Sequence, residues 1–71
     1  MKFGVVVEKD KDGYYVASVP ELPGCHTPAK TLDKVMERIK EAIQVYLEVE
    51  GEKDRAHMEL VGVQFIEVQA E

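Results

Sequence analysis

The 71 residues contain no tryptophan, no asparagine and only one cysteine. The lone Cys25 has no partner for an internal disulfide, and no positively charged, apolar-cored leader stands before the first expected strand. Both point to a reducing cytoplasm. No apolar run approaches the ~20 residues that a membrane-spanning helix needs. Repeats and low-complexity segments are also absent, and the length leaves no room for a second domain, so residues 1–71 are expected to form one small unit. The missing Asn and Trp, with plentiful Glu and Lys, suit a heat-adapted source. Basic residues are in the minority, nine against fourteen acidic ones, for a formal charge of −5. Such a balance opposes unaided binding to a phosphate backbone and favours a basic partner. The 45% hydrophobic content excludes a disordered tail. A chain of this size buries only ~60% of its unfolded surface, which makes self-association the expected remedy for a thin core.

Lys2 to Glu8 alternates as a strand, with Phe3, Val5 and Val7 on one face. Its three consecutive valines predict cover on both faces, from a central place in a sheet or from a second subunit. Lys9-Asp10-Lys11-Asp12-Gly13 is a hairpin signal ending in Asp-Gly; Glu8, Asp10 and Asp12 read as its solvated rim, not as a metal loop. The second strand sets Tyr15, Ala17 and Val19 against Tyr14, Val16 and Ser18. Pro20 stops it, and Pro23-Gly24 supplies a pre-set φ followed by a residue that accepts φ > 0. A short extended piece, Cys25 to Thr27, precedes Pro28.

Thr31 to Glu50 is predicted as the one helix. Leu32, Val35, Met36, Ile39, Ile43, Tyr46 and Leu47 form its apolar stripe, while Lys34, Arg38, Glu41, Gln44 and Glu48 face water. Thr31 is a suitable N-cap, Asp33 complements the positive helix end, and Gly51 is a natural terminator. Lys34 replaces the acid that a capping box needs. Val45 and Val49 lie off the stripe, as single exposed residues or as a subunit contact. After a polar connector at residues 51–57, residues 58–68 return to a strand pattern, with Val61, Val63 and Phe65 on one face. The expected class is α+β, in the order β-β-β-α-β: a four-stranded mixed sheet, spatial order 3-2-1-4, with the helix on one face.

The string from Gly13 through Tyr15, Ala17, Pro20, Leu22, Pro23, Gly24 and Cys25 to Thr31 resembles the N-terminal domain of HicB-type antitoxins, a family of partial RNase H-like folds. Gly-Tyr-Tyr-Val-Ala and Pro-Glu-Leu-Pro-Gly-Cys carry the resemblance, which spans roughly Phe3 to Leu47. Where the family usually has Gly-Asp before the helix and Glu-Glu-Ala after its start, this chain has Ala29-Lys30 and Asp33-Lys34-Val35. The resemblance implies binding to a small basic HicA-type mRNA-cleaving toxin and occlusion of its active site. Many members of the family add a C-terminal DNA-binding region; none is expected within residues 1–71. Ala29, Lys30 and Lys34 keep an alternative open, a stand-alone interaction or regulatory module without a toxin partner.

Chemistry has little foothold in the residues. Cys25 and His26 are adjacent on an extended chain and point to opposite faces, which prevents them from converging on one ion or acting as nucleophile and base. His57 reads as a surface residue. A two-metal nuclease needs clustered carboxylates, but Glu8 stands apart from Glu37, Glu41 and Glu48 on the water-facing side or margins of the helix. No catalytic, cofactor or metal residues are therefore expected. His26 reads as an ordinary surface residue or as a contact for a partner. Val6, Tyr14 and Val16 place apolar bulk on the sheet face away from the helix and predict a homodimer, or a higher assembly built from it.

Overall fold

The computed structural model describes residues 1–51 and 59–69. Its elements are β1 (Val6–Lys9), β2 (Tyr15–Ser18), β3 (His26–Ala29) and α1 (Leu32–Glu50). The strands form an antiparallel sheet in the order β1-β2-β3. Val7 pairs with Ala17 and Ala17 with Thr27; the next row is Glu8, Val16 and Pro28. Because side chains alternate, the first row faces α1 and the second faces away.

The hairpin between β1 and β2 is closed by Asp10. Its carboxylate accepts from the backbone N–H groups of Asp12 and Tyr14, both at 2.9 Å. Gly13 follows with φ of 87°, which a side chain would strain. At the helix start, Thr31 Oγ1 accepts from the Lys34 N–H at 3.1 Å, a bond that typically stabilises by ~1 kcal/mol. At the other end the Gly51 N–H donates to the Leu47 carbonyl at φ of 71°.

The core lies between α1 and the sheet. Ala17, Val19, Leu22, Cys25, Ala29, Val35 and Ile39 are buried, with Phe3, Val5, Tyr15, Ile43, Tyr46 and Leu47 packed around them. Leu32 and Met36 depart from the predicted stripe and stand exposed. Leu32 lies in the first turn, and Met36, between the buried Val35 and Ile39, lies on the flank of the stripe. A helix of 19 residues runs ~28 Å, while four-residue strands run only ~13 Å, so α1 also overhangs its sheet. Val45 and Val49 are exposed near the other end.

Three expectations are corrected. β3 continues through Pro28 instead of ending before it, which an edge strand permits because its outward N–H is not needed. β1 is an edge strand, not a central one. α1 packs on β3 and β2 and makes no comparable contact with β1, so Val7 is left partly exposed. Finally, residues 59–69 form no strand, and among the described residues the sheet has three strands, not the expected four. The expected connector lies largely outside the described residues, as does the first residue of the expected last strand. Leu60 sits where a Cβ on Gly4 would be, and the rest of this arm is exposed. The Cα radius of gyration, 13.8 Å, exceeds the ~11 Å of a compact chain of this length.

Candidate functional site

Residues 19–25 form two successive tight turns, each with proline in its second place. Leu22 N–H donates to the Val19 carbonyl and Cys25 N–H to the Leu22 carbonyl, both at 3.0 Å. Pro20 and Pro23 pre-set φ, and Gly24 at φ of 83° completes the second turn in the manner of type II. Val19 N–H then bonds to the Cys25 carbonyl, closing the segment on itself. Pro20, Pro23 and Gly24 face solvent, while Leu22 is fully enclosed and Cys25 is buried. The segment is a rigid bracket that plugs the core with one leucine.

Between the prolines, Glu21 is only 5% exposed. Its Oε1 accepts from the Gly4 N–H at 3.3 Å, tying the chain ahead of β1 to the bracket. Glu21 has no assigned role in the sequence reading. Its position between two turn-forming prolines is the signal that could have revealed it.

The remaining residues of the resemblance fall into place around this bracket. Ala17 is enclosed beneath α1, and Tyr15 is half-buried with the Lys9 ammonium 5.3 Å from its ring centre. On the open face, Val6, Ser18 and His26 share one row and Val16 lies in the next. Val6 and Val16 are half-buried and His26 is exposed. Tyr14 sits at the far end, lining a cleft of about 330 Å³ with Pro28, Lys30, Thr31, Lys34 and Arg38. Arg38 faces water as expected, and its Nη1 also donates to the Pro28 carbonyl at 3.3 Å. Glu8 belongs to the open-face row and the helix carboxylates to the opposite side of the sheet, which keeps them apart. Among the described residues, no group of three His, Cys, Asp or Glu could hold a metal ion.

Burial pushes the Cys25 thiol above its ordinary pKa. The folded chain therefore holds this proton more tightly than the unfolded chain does. The associated stability is present below the unfolded thiol's ~8.5 and is lost as pH rises through the folded value. Labelling by a disulfide reagent at pH 8 should be at least tenfold slower than for a short Cys25-containing peptide, and a stability fall is expected on the alkaline side. Equal labelling rates would contradict the burial.

A family model described as "HicB_like antitoxin of bacterial toxin-antitoxin system" matches residues 3–70. The chain belongs to the HicB-like antitoxin family. Its match extends past the motif-bearing segment into the C-terminal arm. A UPF0150 protein of Archaeoglobus fulgidus is 62% identical over 68 residues, 96% of each chain. Another, from Thermoplasma acidophilum, is 54% identical over 48 residues, 68% of this chain and 70% of that one. A Synechocystis relative of the same description is 37% identical over 68 residues, 94% of each chain. The HicB-like resemblance drawn from the turn and strand residues is thus correct. Among the described residues, no helix is long and apolar enough to cross a membrane.

Proposed function

We propose that this HicB-like chain neutralises a small basic HicA-type mRNA-cleaving toxin by docking over its active site. Family membership across residues 3–70 carries the reading. The formal charge of −5 supports it, because opposite charges speed encounter and orient the partners. Inhibition is then steric: the bound antitoxin excludes RNA, and no chemistry of its own is needed. Purification from the native source should recover a basic protein of antitoxin-like size whose RNA cleavage stops on adding this chain. Association should slow as salt rises. Failure to recover any such protein across growth conditions would sink the proposal.

The same reading makes the chain a non-enzyme. With Mg²⁺ or Mn²⁺ it should leave single-stranded RNA, duplex RNA and RNA–DNA hybrid intact; cleavage abolished by Glu8→Gln would overturn this.

One observation favours the second reading, a stand-alone interaction or regulatory module. Three of the departures from the usual family sequence, Ala29, Lys30 and Lys34, line the Tyr14 cleft. Cations gathered at that cleft in an acidic chain alter one local surface, and a changed partner there would leave the fold untouched.

The protein is further proposed to act as a homodimer in the cytoplasm, with Val6, Tyr14, Val16 and His26 of the open sheet face in or beside the contact. Val16→Lys should weaken the dimer in sedimentation equilibrium. A monomer at tens of micromolar for the unmodified chain would defeat that assembly.

A further inference from the structure

Two features of each chain are incomplete in complementary ways. One is the arm at residues 59–69, whose backbone pairs with no strand. Val61 is 96% and Phe65 97% exposed, and Val63, Ile66 and Val68 are exposed with them. An extended segment with free N–H and C=O groups and this many bare apolar side chains is a strand without a sheet. The other is the outer edge of β1, which is bonded on one side only.

The sheet has a second edge, on β3, but that one is interrupted at Pro28. Pro28 has no N–H, and its carbonyl is taken by Arg38. In an antiparallel strand the N and O of one residue point to the same side, so both groups of Pro28 are unavailable to an incoming strand. The outer edge of β1, Val-Val-Glu-Lys, contains no proline. It is also where α1 fails to reach and where Val7 remains partly exposed.

The arm does not complete its own sheet. Leu60 docks at Gly4, at the approach to β1, yet Val61 immediately after it is almost fully exposed. The molecule is accordingly drawn out to 46 Å in one direction against 28 and 17 Å in the others. We infer that the arm of each chain forms the fourth strand of a second copy's sheet, pairing along the partner's β1 edge while receiving the partner's arm in return. This inference rests on the homodimer reading and specifies how the two copies join.

A second copy fits better than a basic protein. Each chain carries both donor arm and acceptor edge, so one two-fold operation satisfies both at once and closes the assembly. Lys2 and Lys9 stand at the two ends of the β1 stretch, with Glu8 within it, while Glu59 and Glu67 lie on the arm. The arm itself is predominantly apolar, the composition of a permanent contact and not of a steered, charged one. Five large apolar side chains on each arm, with the edge residues they cover, bring the contact to the order of the ~1,600 Å² of a standard stable interface.

The full-length chain tests this directly. Phe65→Asp should weaken the dimer at least ~10-fold in sedimentation equilibrium while leaving the far-ultraviolet circular dichroism of the sheet and helix unchanged. In a dimer mixed from carbon-13-labelled and unlabelled chains, isotope-filtered NOEs should connect Val63 and Phe65 of one copy with Val5 and Val7 of the other. A stable dimer that ignores Phe65→Asp but is broken by Val16→Lys would overturn the exchange and leave the homodimer standing. NOEs confined within one chain, or running only from arm to arm, would also overturn it. A monomeric unmodified chain would remove both proposals together.

Discussion

Replacing Leu22 with alanine is expected to lower the unfolding free energy by about 3 kcal/mol, the usual cost of emptying a fully buried leucine site. Leu22 is the side chain that the two-turn bracket drives into the core, and it is completely enclosed. The turns above it are held by their own hydrogen bonds and prolines, so they cannot collapse inward to fill the space. A cavity would persist. At ~0.05–0.15 kcal/mol per residue, a chain of this length has a total stability of about 4–11 kcal/mol, and the loss is a large part of it. Urea unfolding followed by circular dichroism, at one fixed protein concentration so that association does not shift the midpoint, measures the change. Leu32→Ala is the control: that leucine is 49% exposed on the overhanging first turn, and its truncation should cost no more than ~0.5 kcal/mol. Equal effects of the two substitutions would show that the bracket does not plug the core.

Glu21→Ala is expected to cost about 2 kcal/mol, the range for leaving a buried hydrogen-bond partner unsatisfied. Removing the carboxylate takes away the acceptor of the Gly4 N–H and opens space beneath the bracket. Glu21→Gln keeps an acceptor of the same reach and should cost less than half as much. The sharper readout is local. Hydrogen exchange at the Gly4 amide should accelerate strongly in Glu21→Ala and only slightly in Glu21→Gln. If Gly4 exchanges at the same rate in all three proteins, the tie between the N-terminal stretch and the bracket has no energetic weight.

What could be read from the residues was local chemistry. Thr31 and Gly51 mark the ends of α1 because capping depends on a hydroxyl and on a left-handed φ, both intrinsic to those residue types. The Asp10–Gly13 hairpin and the Pro23-Gly24 turn were legible for the same reason. Positions that depend on which element covers which were not. Three valines in β1 report that cover exists somewhere, but alternation is the same whether the cover comes from the same chain or another, and β1 proved to be an edge. The pattern of residues 58–68 reads as a strand, but alternation says nothing of a pairing edge, and residues 59–68 form no strand. Glu21 was missed because a charged residue in a proline-rich turn normally faces water, and only the reversal of the chain at Pro20 turns it inward. Helical periodicity correctly places Arg38 in solvent, but it carries no information on how far a guanidinium can reach toward a neighbouring edge.

Pro28 and Arg38 have a consequence for behaviour at high concentration. Runaway stacking of sheets into fibrils needs every added molecule to present a fresh edge on its far side. Here the far side is β3, where a ring nitrogen and an occupied carbonyl meet the newcomer. In the proposed exchange dimer, lateral growth through the sheets would meet this obstacle once the β1 edge is filled, as a polymer chain stops at a monomer with a single reactive end.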